Sequence, residues 1–345
     1  MRYIFYAYPI FKKVSFTYIA EQHVEQLRKY FKVEVIDENS LPFLGGILRP
    51  FILIQPYFYP FQKYEKKLQK RIHRWKGIIG VDVADSNKIS KYAVHLTSYA
   101  NAIIVPSTFA KNSYVSSGVK KPVYVVPHGI HEEYLTTPKT EPNEMKILHN
   151  IKQMKRKKLL LCYLVHSPYR KGEDLLHKIY NTLKKERKDV MLAIKDAFGI
   201  KLIEKQETRI HEGWLTEQAK LELFDLSDLY LLTSRGGGFE HPPLEAIARG
   251  IPAIGAEGGA WQDYMCKWML IPSKESGVVL EGNPIHIGTG VEMIIDKAIN
   301  RIHEILDNLD EYKTKTKEYA NTVIREKFTW TKVGEQLREV ILKLI

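Results

Sequence analysis

At 345 residues the chain has the length of two ordinary domains. It is 44% hydrophobic and 27% charged, which excludes a disordered chain, and its two cysteines, Cys162 and Cys266, exclude a disulfide framework and a cysteine zinc site and fit a reducing compartment. The formal net charge of +12 leaves nucleic acid, an anionic membrane surface or a phosphorylated substrate as candidate partners.

The first half reads as alternating strands and helices. Strands are predicted at Tyr3–Ala7, Val33–Ile36, Phe51–Ile54, Gly77–Val81, Ala102–Val105 and Val123–Val126. Helical periodicity covers Thr17–Tyr30, residues 62–77, Lys88–Tyr99 and Thr108–Ser117. Met1-Arg2 leads straight into YIFYAY, which is not expected to act as a cleavable leader. The window Leu41–Phe61 is long enough to cross a bilayer. It carries Pro42, Pro50, Pro56, Pro60 and Arg49, which oppose a spanning helix, so a short buried strand at Phe51–Ile54 is expected instead. The stretch His131–Glu144 lacks any period and reads as a connection between domains.

The alternation then restarts. Strands are expected at Leu159–Val165, Val190–Ile194, Ile210–Glu212, Leu229–Thr233 and Ala253–Gly255, with helices at Glu173–Glu186, Glu217–Phe224 and Pro243–Arg249. Val291 to Ile345 reads as largely helical. The organisation expected is therefore α/β: two doubly wound, Rossmann-like parallel sheets over residues 1–145 and 146–324, and a terminal helix over 325–345 packing back on the first domain. Ligands of such sheets lie beyond the carboxyl ends of the strands, and two such edges can face one central cleft.

The charge is unevenly spread. Residues 1–150 hold 21 Lys and Arg against 12 Asp and Glu, while the remainder holds 31 against 28. The densest run is 62–77, with seven basic residues and Glu65 alone opposing them. Phe61, Tyr64, Leu68, Ile72 and Trp75 recur there at spacings of three and four, predicting a basic amphipathic helix. Its apolar stripe can pack on its own domain, or the helix can present Lys66, Lys67, Lys70, Arg71 and Arg74 to anionic lipid or a lipid phosphate. No DNA- or RNA-binding motif surrounds it, so nucleic acid is not expected.

The most informative segment is SRGGGFEHPPLEAIARGIPAIG, Ser234–Gly255, which follows the strand LYLLT. Gly236, Gly237 and Gly238 let the backbone and Phe239 approach a ligand closely. Pro242 and Pro243 open a helix whose N-terminal N–H groups suit a phosphate. Glu245 in its first turn can accept hydrogen bonds from a ribose diol, or can simply complement the helix dipole.

Five blocks in order resemble glycosyltransferase family 4, whose members have the two-domain GT-B fold. They are Asn101–Leu135 with its Pro127-His128-Gly129 turn, YRKGEDLL at Tyr169–Leu176, HEGWLTEQAKLELFDLSDLYLLTS, GGGFEHPPLEAIARGIPAI, and FTWTKVGEQL. The resemblance implies a metal-independent, retaining transfer of a hexosyl-type sugar from a UDP-, GDP- or ADP-sugar to a hydroxyl on a glycan or lipid-linked acceptor, at the cytoplasmic face of a membrane, with no cofactor. It assigns Glu245 to the nucleotide ribose and Lys171 to the diphosphate.

Several positions depart from the family pattern. Its first glutamate falls on Gly237, with Glu240 nearby as a replacement toward the donor sugar. Its diphosphate arginine falls on His166, with Arg170 nearby. Its glycine–glycine–x–x–glutamate turn becomes Gly258-Gly259-Ala260-Trp261-Gln262. A histidine common after the third or fourth strand is absent, and Asp82 and Asp85 stand there instead. Asp82 can orient or deprotonate an acceptor hydroxyl, or can cap the next segment. No D-x-D pair occurs, which leaves metal-assisted diphosphate binding unsupported. Two other readings compete: a sugar- or nucleotide-binding protein of this fold without catalysis, and a nucleotide-sugar 2-epimerase of the same architecture.

Overall fold

The computed structural model describes residues 3–45, 49–139, 141–196, 208–210 and 213–345. By contacts the chain forms two compact units. The first comprises 1–129, 280–288 and 328–345; the second comprises 130–279 and 289–327.

The first unit is built on six parallel strands: β1 (Tyr3–Tyr8), β2 (Lys32–Asp37), β3 (Phe51–Ile54), β4 (Gly77–Val81), β5 (Ala102–Val105) and β6 (Val123–Val125). Their order is β2-β1-β3-β4-β5-β6. β3, β4 and β5 are buried along their whole length, and their unbroken apolar runs (FILI, GIIGV, AIIV) follow from helices covering both faces. The pleat divides the side chains between two cores. Ile52, Ile54, Ile78, Ile103 and Val105 pack with Phe58, Phe61, Leu68, Leu96 and Tyr114 on one face. Leu53, Ile79, Val81 and Ile104 pack on the other with Ile19, Val24, Leu27, Trp330 and Leu337. That second core holds the terminal helix Trp330–Leu344, which lies against the helix Ser15–Arg28. Burying each such Leu, Ile or Phe contributes roughly 1.5–3 kcal/mol.

The window Leu41–Phe61 is split between a 3-10 turn (Glu38–Phe43), β3 and the start of a helix, and its residues 46–48 lie outside the described residues. No helix among the described residues is long and apolar enough to cross a membrane. The basic run differs from its expected form. The helix spans Phe58–Gln69 with non-helical backbone at Tyr64, and a separate 3-10 turn covers Ile72–Arg74. Its apolar residues Phe61, Leu68 and Trp75 belong to the core, so that stripe is not available to lipid. Lys66, Lys67, Lys70 and Arg74 are exposed, and Arg71 is half-buried with its guanidinium donating to the Leu44 carbonyl at 3.5 Å.

The second unit has a sheet of β7 (Lys158–Leu164), β8 (Val190–Asp196), β9 (Thr208–Ile210), β10 (Leu229–Leu232), β11 (Ala253–Ala256) and β12 (Leu270–Ile271), in the order β12-β11-β10-β7-β8-β9. Every pair that joins these strands is parallel. The strand expected at Ile210–Glu212 is observed two residues earlier, and residues 211–212 lie outside the described residues. An antiparallel hairpin of β13 (Ser273–Val278) and β14 (Thr289–Met293) occupies a stretch where the sequence suggests no strand. Between its strands, residues 280–288 leave the second unit and join the first. There the Ile285 carbonyl accepts from the Ser90 N–H, Ile287 N–H donates to the Lys88 carbonyl, and Ser90 Oγ donates to the Pro284 carbonyl at 2.6 Å.

Candidate functional site

In each sheet the strand order reverses at one place, between β1 and β3 in the first unit and between β7 and β10 in the second. Loops leaving neighbouring strands diverge there, and the crevice beyond their carboxyl ends is where such sheets bind ligands.

In the second unit the loops after β7 and β10 converge on one cluster. His166 and Ser167, at φ 62° and 47°, turn the chain into the short helix Pro168–Lys171. Gly172 ends that helix at φ 70°, and a Cβ there would sit 2.1 Å from the Thr233 carbonyl oxygen, so only glycine lets the two loops touch. Arg235 N–H donates to the Arg170 carbonyl at 2.7 Å, and Thr233 Oγ1 donates to the Lys171 carbonyl at 2.8 Å. Glu240, at φ 68°, begins the helix His241–Ala248. Three non-glycine residues in left-handed backbone at one switch point cost of order 1–3 kcal/mol each, and such strain gathers at functional sites.

Lys171 Nζ lies 2.5 and 2.6 Å from the two oxygens of Glu240. Ser234 Oγ donates to Glu240 Oε1 at 3.3 Å, and Arg170 Nη1 lies 4.0 Å from it while donating to the Gly236 carbonyl at 3.1 Å. A Cβ built on Gly237 would lie 2.3 Å from Glu240 Oε1. The Glu240 carboxylate therefore fills the space that a side chain at 237 would enter. Phe239, buried, packs on the Tyr264 ring at 5.2 Å, and Tyr264 Oη donates to the Glu240 carbonyl at 2.6 Å. Glu245 is buried, and Lys220 Nζ donates to its Oε1 at 3.3 Å. At His166, partial desolvation of the ring and the charges of Arg170 and Lys171 hold the imidazole below its ordinary pKa. Lys171, Arg170, His166, Glu240, Glu245 and the Gly236–Phe239 loop thus lie in one unit around one switch point.

Arg235 is a residue the sequence reading passes over. Only 2% exposed, it pairs bidentately with Asp174 (2.6 and 2.7 Å), donates from Nε to Glu292 Oε2 at 2.7 Å, and stacks over Tyr169 at 4.2 Å. It ties both loops to β14. Trp261 is fully buried with its indole N–H on the Ala256 carbonyl, a packing role. In the Gly258–Gln262 turn, Gln262 Oε1 accepts from the Gly258 N–H. Burial pushes the Cys162 thiol up to about 12, so it is inert. Among the described residues, no three His, Cys, Asp or Glu side chains gather as metal ligands would.

In the first unit a cleft of about 360 Å³ opens at the β1/β3 switch point. Its wall includes Asp82 after β4, Glu38 after β2, Lys12 after β1, Gln62, and His286 from the 280–288 segment. Asp82 Oδ2 accepts from Phe58 N–H at 2.9 Å, capping the helix Phe58–Gln69, and Oδ1 accepts from Val83 N–H at 2.8 Å. Capping and cleft-lining are thus both real for this carboxyl. The backbone N–H of Asp85 donates to His286 Nδ1 at 3.4 Å. No signal in the sequence joins Glu38 or His286 to Asp82, since they meet only through the fold. The basic residues at 66, 67, 70, 71 and 74 are not on this wall.

Burial raises Asp82 to about 7, against the N–H bonds from Phe58 and Val83. A carboxyl with a folded pKa above its unfolded value binds more protons when folded. Its contribution is therefore full below the unfolded value near 3.8 and is lost as pH rises through 7. Thermal unfolding of the full chain is expected to show a midpoint that rises as pH falls from 8 to 5.5. In Asp82→Ala this slope flattens and the midpoint drops by the loss of a cap, about 0.5–2 kcal/mol. An unchanged slope in that variant would remove the assignment.

Comparison with known proteins places these features. Residues 144–319 match the family of glycosyl transferases group 1. Over 99% of the chain, and 98% of the relative's length, the sequence is 38% identical to uncharacterized protein 356 of Sulfolobus islandicus rod-shaped virus 1. Over 77% of the chain and 76% of the relative, it is 25% identical to candidate glycosyltransferase 45 of Sulfolobus islandicus filamentous virus. The fold superposes on Anabaena HepE, solved in complex with UDP and glucose, with a TM-score of 0.74 at 13% identity over the whole of both chains. The two parallel Rossmann-like sheets are those of the GT-B fold, and the loops after β7 and β10 lie inside the matched region. With the match spanning half the chain and these two sheets beneath it, the protein belongs to the glycosyl transferases group 1 family.

Proposed function

We propose that this glycosyltransferase is a metal-independent, retaining enzyme of the family 4 type, taking a hexosyl-type sugar from a nucleotide-sugar at the β7/β10 switch point. The observation that carries the reading is the Glu240 carboxylate standing over Gly237 and held by Lys171. Glu240 would meet the donor sugar's hydroxyls from the place of the missing glutamate. Lys171, with Arg170 and the Gly236–Phe239 backbone, would hold the diphosphate. Lys220 takes Oε1 of Glu245, leaving Oε2 for the ribose hydroxyls.

In the transfer, the bond from the anomeric carbon to the diphosphate breaks with its electrons on the leaving oxygen. The acceptor oxygen bonds to that carbon from the same face, and its proton passes to the departing phosphate. Charge accumulates on the diphosphate, and fixed cations and N–H groups lower that barrier. The acceptor hydroxyl would lie beside Asp82 in the first unit. The filamentous-virus relative, described as a glycosyltransferase, and the UDP complex of HepE support a nucleotide-sugar donor.

The test is a panel of UDP-, GDP- and ADP-sugars. One nucleotide is expected to raise the unfolding midpoint, since only a ligand preferring the native state does so, and its sugar is expected to yield free nucleotide. A raised midpoint with no nucleotide release under any acceptor mixture would instead mark a binding protein. The exposed Lys66, Lys67, Lys70 and Arg74 support cytoplasmic, peripheral contact with an anionic membrane. Liposome sedimentation indifferent to anionic lipid would remove that part.

A further inference from the structure

We infer that the cleft at the β1/β3 switch point binds an uncharged, hydroxyl-rich acceptor, a sugar rather than a phosphate-bearing group, with Glu38 as the carboxylate that receives its hydroxyls. The inference rests on the glycosyltransferase reading and names the acceptor class. Glu38 is 1% exposed, and its Oε1 accepts from Lys12 Nζ at 3.1 Å. Its Oε2 is buried and has no hydrogen-bond partner among the described residues, although the side chain lines the cleft. A buried carboxylate oxygen left unpaired is costly, and a ligand hydroxyl is the group that would satisfy it.

The rest of the wall agrees. Two carboxyl groups, Glu38 and Asp82, face one lysine there. That lysine is already engaged by Glu38 and by the Tyr59 ring, 4.6 Å from its Nζ. A phosphate entering would meet the Glu38 carboxylate and no uncommitted lysine or arginine on this wall, a penalty that selects against anions. Aromatic and amide side chains, Phe16, Tyr59 and Gln62, complete the lining. Flat apolar rings beside hydrogen-bonding groups suit the two faces of a pyranose. The volume, about 360 Å³, falls within the usual range for a small-ligand site. The basic run at 66–74 is therefore not the acceptor's counter-charge, because it lies off this wall.

The experiment prints neutral oligosaccharides beside sialylated, sulfated and phosphorylated ones and measures retention of the full-length protein. Nucleotide-induced midpoint shifts are recorded on the same samples. Neutral glycans are expected to be retained, with a loss of about ten-fold or more in Glu38→Gln, because a charge-assisted bond is replaced by a neutral one. Gln62→Ala, at an exposed position that cannot unfold the protein, is expected to weaken the same glycans several-fold, while Lys66→Glu leaves them unchanged. Retention of anionic glycans alone would overturn the inference. So would the absence of any glycan binding while a nucleotide still shifts the midpoint, or a folded Glu38→Gln that binds like the parent. Glycan retention without any nucleotide shift would sustain the cleft assignment and sink the transferase reading.

Discussion

Replacing Lys171 with alanine is expected to lower kcat/KM for nucleotide-sugar turnover about 10²- to 10³-fold, the usual effect of removing one fixed group that stabilises transition-state charge. The structure adds a second consequence. The Glu240 side chain is 8% exposed, and Lys171 supplies its two shortest contacts. Alanine at 171 leaves that carboxylate buried beside Ser234 Oγ at 3.3 Å and Arg170 at 4.0 Å, so stability falls as well, by about 3 kcal/mol. Loss of turnover in Lys171→Ala alone is thus ambiguous. The double variant Lys171→Met, Glu240→Gln separates the two effects, because it removes both charges together. Most of the unfolding midpoint is expected to return in it, while turnover stays at least 10²-fold down. Turnover within about three-fold of the parent in either variant would remove Lys171 from the diphosphate site.

Arg235→Met is expected to be the most damaging single change to stability. The guanidinium is buried and engages Asp174, Glu292, the Tyr169 carbonyl and the Tyr169 ring. Removing it takes the bidentate partner from Asp174 and leaves Glu292 with Lys274 alone, at 3.3 Å. Asp174 is partly exposed and can re-solvate, so the cost lies at the low end of the range for a broken buried pair, about 3 kcal/mol. For a unit of this size that corresponds to a midpoint lower by about 6–12 °C. Nucleotide-induced stabilisation should shrink too, since Arg235 joins the loops after β7 and β10 to β14. A midpoint within 2 °C or so of the parent, measured by calorimetry, would contradict the role given to this residue.

Much of the architecture is legible in sequence because buried parallel strands write themselves as unbroken apolar runs. FILI, GIIGV, AIIV and LYLL each mark a strand that helices cover on both faces. In the structure Ser90, Ser107 and Thr216 each precede a helix and accept from the backbone N–H three residues on. The glycine–glutamate segment after LYLL is readable for the same reason: its glycines and its helix start are local. The hairpin β13/β14 is not readable, because SKESGV is polar and half exposed and its pairing partner stands beyond nine residues that join the other unit.

The basic helix shows the other kind of limit. Spacing alone shows that residues 61–75 are amphipathic, and says nothing about what covers the apolar stripe. The fold covers it with the first unit's own core, which leaves only the charged face outside.

The sequence by itself determined that strands and helices alternate in two successive runs and that the basic surplus lies in the first half, and its resemblance to family 4 pointed to the groups after two particular strands. These follow from local chemistry, since propensity, periodicity and loop composition act over a few residues. Tertiary structure alone decided that Lys171 holds the Glu240 carboxylate, that Arg235 is locked between two carboxylates, and that Glu38, Asp82 and His286 share one wall while the basic residues at 66–74 lie off it. Those outcomes depend on contacts between residues tens to hundreds of positions apart, which only the closing of the sheets brings within reach.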